Sequence, residues 1–208
     1  MRRLAVLALC ALGLALLANG QGRPSLPPVS APPTPVEAPA HAEPPRDARV
    51  TAIYDGLHWR HTGLSEREIW LVAETLVAEA DRHDLDPALL LAVVQVESGG
   101  YNFARSSVGA LGLMQLMPAT GQELARSMGI AWHGSETLFD PQVNIKLGTA
   151  YLRQLSDRFG SWEAALAAYN WGPGRIDRRI QRGTMLPTDY PRLVLEAHSV
   201  TRGKDRSS

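Results

Sequence analysis

The segment LLLAVVQV, from Leu89 to Val96, constrains the fold more than any other part of the sequence. It follows Asp86-Pro87, a pair that typically caps a helix and opens its first turn. The segment is apolar on almost every side of a helix. Such a surface is stable only when other elements surround it. The segment therefore predicts a central helix with further helices packed around it.

The rest of the chain supplies signals for those surrounding helices. Apolar residues recur at helical spacing, and no stretch of any length shows the alternation that is typical of a strand. A capping residue or a first-turn proline marks each predicted helix start. The predicted starts are at Ser65, Pro118, Asp140, Ser161 and Thr188. We predict an all-α domain of about five or six helices around the central buried helix.

The composition of the chain predicts its division into segments. Residues 1–20 have a charged start and an apolar run of about 15 residues, shorter than the ~20 that span a bilayer. They predict a signal peptide, with an uncleaved membrane anchor as the alternative. Residues 21–49 are rich in Pro and Ala and predict a disordered tether. Residues 50–63 are assigned to an ordered lead-in, 64–200 to the helical domain and 201–208 to a polar tail.

Charge and residue types argue against several function classes. The formal net charge is +0, so no strong field indicates nucleic acid binding. The six histidines are scattered, without the spacing of a metal site. We therefore expect neither a metal nor a cofactor. From Arg175 to the end, basic residues outnumber acidic ones. We interpret them as solvated helix faces, with contact to an anionic polymer or a membrane as the alternative.

Glu97 is the candidate catalytic residue. It lies at the end of the central apolar helix, and neither Asp nor Glu occurs between Ser98 and Gln122. Apolar surroundings and the partial negative charge of a helix C-terminus both disfavour a carboxylate anion. The carboxyl should therefore stay protonated near neutral pH, as the proton donor of a glycosidase must. An ordinary surface glutamate at a helix end is the alternative interpretation.

The segment GALGLMQLMP that follows has the residue types of a sugar-binding loop. Gly109 and Gly112 let a backbone approach a ligand closely. Gln115 offers both donors and an acceptor to an acetamido group, and Met114 and Met117 provide adaptable apolar walls. A core loop with methionine as filler is the alternative.

Five sequence blocks, in this order, resemble the catalytic domain of the soluble lytic transglycosylases, which are related in fold to goose-type lysozyme. The blocks are VESGG at 96–100, SSVGALGLMQLMPAT at 106–120, LFDPQVNIKLGTAYL at 138–152, ALAAYNWGPGRI at 165–176 and YPRLV at 190–194. The resemblance covers roughly residues 64–198. It implies a lysozyme-like fold and cleavage of the β-1,4 bond between N-acetylmuramic acid and N-acetylglucosamine in peptidoglycan. The product would end in a 1,6-anhydro ring.

The resemblance also implies roles for individual residues. Glu97 would act first as acid and then as base, in place of the two carboxylates of a lysozyme-type hydrolase. Six positions would contact substrate or close the groove around the acid, and the last of them would reach toward the catalytic carboxyl. They are Ser106, Gln115, Met117, Tyr169, Asn170 and Tyr190. Asn144 and Gly148 match structural positions on the long helix.

Two other functions stay open at this stage. A lysozyme-type hydrolase would cut the same bond with water and leave a reducing end. A peptidoglycan-binding module would keep the fold without turnover. For either enzyme we expect peptidoglycan glycan strands as substrate, a monomer, and a location in the periplasm or cell envelope. A partner in an envelope assembly is left open.

Overall fold

A computed structural model describes residues 47–205, with side chains described to residue 202. In this part of the chain the elements are eight α-helices and one 3₁₀ turn, and no strand is present. The helices are α1 (Ala48–Leu57), α2 (Glu66–His83), α3 (Pro87–Ser98), α4 (Pro118–Ser127), α5 (Pro141–Phe159), α6 (Trp162–Trp171), α7 (Pro173–Gln181) and α8 (Asp189–Asp205). The 3₁₀ turn, Ser135–Phe139, precedes α5. The predicted all-α class is confirmed, whereas the predicted signal peptide and most of the tether lie outside the described residues.

The helix starts use the capping residues that the sequence predicts. At α2, Glu68 N–H donates to Ser65 Oγ over 3.4 Å, and Ser65 N–H donates to the Glu68 carboxylate over 2.7 Å. At α3, the Asp86 carboxylate accepts from Ala88 N–H over 2.9 Å. Gly99 ends α3 with a φ of 63°, a conformation that is readily available to glycine. The end of α3, where Glu97 lies, is therefore fixed by local chemistry.

Helix α3 is the centre of the domain, as predicted. Every residue from Ala88 to Val94 is buried. Helices α1, α2 and α8 pack against it, while α5 packs against α2 and α6. None of the helices in residues 47–205 has the length and apolar composition needed to cross a membrane.

Two helices, α1 and α7, were not predicted, so eight helices form where about five or six were expected. Helix α1 is capped by Asp47, whose carboxylate accepts from Arg49 N–H over 2.8 Å. Asp47 directly follows the Pro-rich segment and was assigned to that segment in the sequence analysis, so its capping role was not predicted. Helix α7 begins after Gly172, in a GPG sequence that is typical of a turn. Ile176 is the one residue of α7 that is buried, so its apolar pattern was too weak to predict a helix.

Helix α1 contributes to the main core, and this gives a first prediction. Val50, Ile53 and Leu57 are buried in the same cluster as α3. Ile53→Ala should lower the free energy of unfolding by about 2–5 kcal/mol, because it leaves a cavity in a packed core. Asp55→Ala, at an exposed position of the same helix, is the control and should cost under ~1 kcal/mol. Urea unfolding measures both, and equal midpoints would show that α1 does not stabilise the domain.

Candidate active site

Glu97 and Tyr190 form the centre of the candidate site. Glu97 lies partly buried near the end of α3, and Tyr190 is buried in the first turn of α8. The Tyr190 hydroxyl donates to Glu97 Oε1 over 2.6 Å. Burial raises the pKa of Glu97 to about 7, against the lowering effect of the Tyr190 hydrogen bond. A second carboxylate is not among the causes of this shift.

A second tyrosine, Tyr169 on α6, lies close enough to Glu97 for the two to interact electrostatically. Burial raises the pKa of Tyr169 and of Tyr190 well above the usual value, and the charge of Glu97 raises both further. Both phenols therefore stay protonated and act as hydrogen-bond donors. Tyr169 donates its hydroxyl proton to the Met114 carbonyl over 2.8 Å. It thus supports the loop beside Glu97.

Residues 104–117 form that loop, which we call the glycine loop. Leu111 and Leu116 exchange backbone hydrogen bonds of 2.9 and 3.1 Å, which close a tight turn. Within the turn, Gly112 has a φ of 80° and Gln115 a φ of 47°. A left-handed conformation is uncommon for a residue other than glycine, which makes Gln115 a candidate for a functional role.

Two polar side chains fix the glycine loop to the helices. The Asn144 amide on α5, which is fully buried, accepts from Met114 N–H over 2.8 Å and donates to the Leu111 carbonyl over 3.1 Å. The Ser98 hydroxyl, at the end of α3, has one proton for two acceptors, the Leu113 carbonyl at 2.8 Å and the Val94 carbonyl of its own helix at 3.0 Å. The loop is therefore tied directly to the helix that carries Glu97. The sequence analysis assigned no role to Ser98, although it lies next to Glu97 in the VESGG block at 96–100.

Two glycines allow the loop to approach α5. A side chain at Gly112 would collide with the Leu138 carbonyl and with the Asn144 amide. A methyl group at Gly148 would lie 2.5 Å from the sulfur of Met114. The structural role predicted for Asn144 and Gly148 agrees with these contacts.

The polar candidates on the loop each keep one hydrogen-bonding function free. The Gln115 amide nitrogen donates to the carbonyls of Ala104 and Gly112 over 3.1 and 2.9 Å. No described residue donates to its side-chain oxygen, which remains an acceptor. Ser106 Oγ accepts from Ala110 N–H over 2.9 Å, which leaves its hydroxyl proton available as a donor.

The last two candidates, Met117 and Asn170, lie at the surface. Met117 is 43% exposed at the start of α4, and Asn170 is exposed on α6. Neither side chain forms a hydrogen bond with a described residue. Two of the predicted residues thus make contacts in the site: Tyr190 bonds to Glu97, and Tyr169 bonds to the glycine loop. The same loop carries Ser106, Gln115 and Met117. Residues 47–205 contain no group of three or more His, Cys, Asp or Glu side chains that could hold a metal ion.

These features define the class of lysozyme-like helical domains, here with Glu97 as the one candidate catalytic carboxylate. The family model described as the transglycosylase SLT domain matches residues 74–189, which is more than half of the chain. The chain belongs to this family.

Relatives and solved structures agree with the assignment. The chain is 42% identical over 120 residues to a transglycosylase of Enterobacteria phage PRD1, which covers 51% of this chain and 42% of the relative. It is 34% identical over 132 residues to the soluble lytic murein transglycosylase of Salmonella typhimurium, covering 62% and 20%. The chain spans less than half the length of the curated relatives it matches.

The structure of the lytic transglycosylase Slt from Pseudomonas aeruginosa, an inactive glutamate-to-glutamine mutant, is similar with a TM-score of 0.57 and 37% identity. That match covers 63% of this chain and 24% of the other. A 70-kDa soluble lytic transglycosylase in complex with bulgecin A is similar with a TM-score of 0.50 and 27% identity. This match covers 64% of this chain and 22% of that one.

Proposed function

We propose that this chain is a peptidoglycan lytic transglycosylase that cleaves the β-1,4 bond between N-acetylmuramic acid and N-acetylglucosamine. The observation that carries the proposal is the environment of the Glu97 carboxyl, which is partly buried and hydrogen-bonded to Tyr190. Its pKa of about 7 and its 2.6 Å hydrogen bond from Tyr190 suit a group that donates a proton and then takes one back. The names of the relatives and of the solved structures support the same activity.

In the first step Glu97, protonated, gives its proton to the glycosidic oxygen. The bond from C1 of N-acetylmuramic acid to that oxygen breaks, and the N-acetylglucosamine end leaves as an alcohol. Positive charge develops at C1. The substrate's own acetamido group shields this charge, so no protein nucleophile is required. A hydrogen bond from Tyr190 stabilises the carboxylate that Glu97 becomes.

In the second step the Glu97 carboxylate takes the proton of the C6 hydroxyl of the same sugar. The C6 oxygen bonds to C1 and closes the 1,6-anhydro ring. The proton that Glu97 lost is thereby restored, and no water is consumed. Glu97 thus acts as the acid in the first step and as the base in the second. A pKa near the working pH lets the same group do both.

The glycine loop would hold the sugars. The free side-chain oxygen of Gln115 accepts from an acetamido N–H, and the free hydroxyl proton of Ser106 donates to a sugar oxygen. Met117 forms an apolar wall that is accessible to the strand, and the exposed amide of Asn170 lies at the end of α6 to bond a sugar. Tyr169 holds the loop through Met114.

Product chemistry tests the proposed function. Sacculi digested by the full chain should release muropeptides that end in anhydromuramic acid, as measured by mass spectrometry. Fragments that carry a reducing end would instead identify a hydrolase. Binding to sacculi without release of fragments would identify a binding module.

Removing the Tyr190 hydroxyl gives a second prediction. Tyr190→Phe deletes the hydrogen bond that lowers the pKa of Glu97, so that pKa should rise above about 7. The alkaline limb of the kcat profile should move to higher pH, because Glu97 must start protonated. The rate should fall by about tenfold or more, since the Glu97 anion loses a charge-assisted hydrogen bond.

The control for this variant is Tyr54→Phe. It removes another tyrosine–glutamate hydrogen bond, from Tyr54 to Glu66 over 3.2 Å, between α1 and α2. Its pH profile should match that of the parent. An unshifted profile for Tyr190→Phe would rule out a role of Tyr190 in tuning Glu97.

We also propose that the first residues direct export and that residues 21–46 tether a domain that begins at Asp47, which caps α1. Deletion of residues 21–46 should leave the activity on soluble glycan fragments unchanged. A large loss on such fragments would show that the segment contributes to the site.

A further inference from the structure

One side of α7 carries four arginines without acidic partners. Arg175, Arg178, Arg179 and Arg182 are spaced i, i+3, i+4 and i+7, which places them on a single side of the helix. We call these four residues the arginine face. Together with Trp171 and Thr184 they line a cavity of about 380 Å³. The result is a concave surface with a concentrated positive charge.

The arginine face differs from most of the other arginines in residues 47–202. Seven of those form an ion pair with a carboxylate: Arg49, Arg82, Arg105, Arg153, Arg158, Arg192 and Arg202. No member of the arginine face does so with a described residue, and the one acid of α7, Asp177, pairs with Arg158. Like charges three and four residues apart destabilise a helix. An anion outside the domain would therefore stabilise this face.

The guanidinium groups of the face suit a phosphate. The guanidinium carbons of Arg175 and Arg179 lie 5.1 and 5.6 Å from the centroid of the Trp171 ring, which holds both groups in place. Arg178 and Arg182 are exposed, and their side chains form no hydrogen bond with a described residue. Planar guanidinium groups bind phosphate oxygens in bidentate fashion. The face thus offers two available guanidinium groups next to two that are already fixed.

Two exposed apolar side chains lie beside the arginines. Trp171 is 40% exposed and Met185 is 83% exposed. Trp171 contacts Arg175 and Arg179, and the Met185 carbonyl accepts from Arg179 over 2.6 Å. A soluble anionic polymer offers no apolar phase to such side chains, whereas a bilayer presents phosphates and acyl chains side by side. Arginines next to exposed tryptophan and apolar residues are typical of surfaces that lie on anionic bilayers.

The arginine face is turned away from the candidate active site. Tyr169 and Trp171 are two residues apart on α6, which places them about 200° apart around the helix axis. Tyr169 is directed to the glycine loop, where it donates to the Met114 carbonyl. Trp171 therefore lies on the opposite side of α6, and a partner bound there would leave Glu97 and the glycine loop uncovered.

We infer that the arginine face is a peripheral membrane-binding surface that holds the domain on a bilayer containing anionic phospholipids. The lipid phosphates bind the arginines, and Trp171 and Met185 enter the interface between headgroups and acyl chains. The candidate active site then faces away from the bilayer. Binding of this kind needs only the charge and the exposed side chains of this surface, so it does not depend on the proposed function.

Vesicle binding by the full chain tests the inference. The probes are vesicles of phosphatidylcholine alone and vesicles of phosphatidylcholine with phosphatidylglycerol, and the measured quantity is the ratio of the two partition coefficients. The apolar residues 1–20 are common to all variants. R178Q with R182Q should lower the ratio about 10–30-fold at low salt, because each basic residue near an anionic surface contributes about fivefold. The difference should shrink at high salt.

The charge-matched control is R67Q with R126Q, which removes two exposed arginines from α2 and α4. This pair should keep the ratio of the parent. Equal losses for the two pairs would show that binding follows the net charge of the chain, and they would overturn the inference. An unchanged ratio for R178Q with R182Q would overturn it as well.

The apolar part of the surface is tested by a gain of binding. Met185→Trp places a larger interfacial side chain beside the arginines and should raise partitioning into the phosphatidylglycerol vesicles about threefold or more. Ile180→Trp is the matched control, because the exposed Ile180 lies about 100° around α7 from Arg179; it should change partitioning by less than about twofold.

Three results would exclude a bilayer as the partner. They are no gain from Met185→Trp, an equal gain from Ile180→Trp, and a parent chain that binds soluble polyphosphate through Arg178 and Arg182 without preferring the phosphatidylglycerol vesicles. The last result would identify an anionic polymer as the partner instead.

Discussion

Glu97→Gln is expected to abolish the release of anhydromuropeptides while glycan strands still bind. Glutamine keeps the shape and much of the hydrogen bonding of the side chain, but it can neither donate nor accept the catalytic proton. A positioned proton transfer accelerates a reaction by about 10²–10⁴-fold, and here one group makes two transfers. The turnover number should therefore fall by at least that factor, with the apparent affinity for strands retained. Mass spectrometry of sacculus digests measures the loss.

Glu123→Gln is the matched control, because Glu123 is an exposed acid on α4 with no ion pair to a described residue. It should retain the parent rate. Near-normal product release by Glu97→Gln would refute the single-acid mechanism. If another acid proved equally essential and the product carried a reducing end, a two-carboxylate hydrolase would replace it.

The same substitution should change how stability depends on pH. The folded-state pKa of Glu97 is raised from 4.5 to about 7, so the folded protein holds a proton that the unfolded chain releases. The contribution of Glu97 to stability is consequently fully present below pH 4.5 and is lost as the pH rises through about 7, by at most about 3 kcal/mol. Glu97→Gln should remove this decline. Urea unfolding at several pH values measures it.

Asn144→Asp is expected to cause the largest loss of stability. The Asn144 amide nitrogen donates to the carbonyls of Leu111 and Leu138 over 3.1 and 2.9 Å in a fully buried place. A carboxylate there cannot donate, so the Leu138 carbonyl loses its donor and the Leu111 carbonyl keeps only the bond from Leu116 N–H. Both oxygens then lie next to a buried negative charge. We expect a loss of about 3–6 kcal/mol and a melting temperature lower by roughly 10–20 °C. Protonating the introduced carboxyl restores one donor, so the loss should be smaller at low pH.

Gln154→Glu is the control for that change. It makes the same exchange of amide for acid on α5, at an exposed position without a hydrogen-bond partner among the described residues. Its melting temperature should match the parent. If Asn144→Asp had the same melting temperature as Gln154→Glu, the Asn144 amide would not be the group that holds the glycine loop on α5.

Several parts of the fold could be predicted because their causes are local. The cap at Asp86, the apolar residues that follow it and the terminating Gly99 lie within one short segment, and they specify α3 and the position of Glu97. The start of α1 is local too, but its cap at Asp47 adjoins the Pro-rich segment. Helix α7 buries only Ile176, and its charged residues gave no apolar pattern.

The contacts of the site depend on tertiary packing, which local patterns do not encode. Tyr190 and Glu97 are 93 residues apart in the chain and meet only because α8 packs on α3. The family resemblance indicated that pairing, whereas helical periodicity did not. The bond from Ser98 to the Leu113 carbonyl also crosses from a helix to a loop, and nothing in the residue order marks it.

The glycine loop is tied to three helices, by Ser98 from α3, Asn144 from α5 and Tyr169 from α6. A loop held in this way has little conformational entropy left to lose when a ligand arrives. Association with the proposed glycan strand would then resemble the docking of two rigid bodies, and we expect the loop backbone to stay the same. Compounds of fixed shape that match this surface would bind without the ordering penalty that a mobile lid imposes.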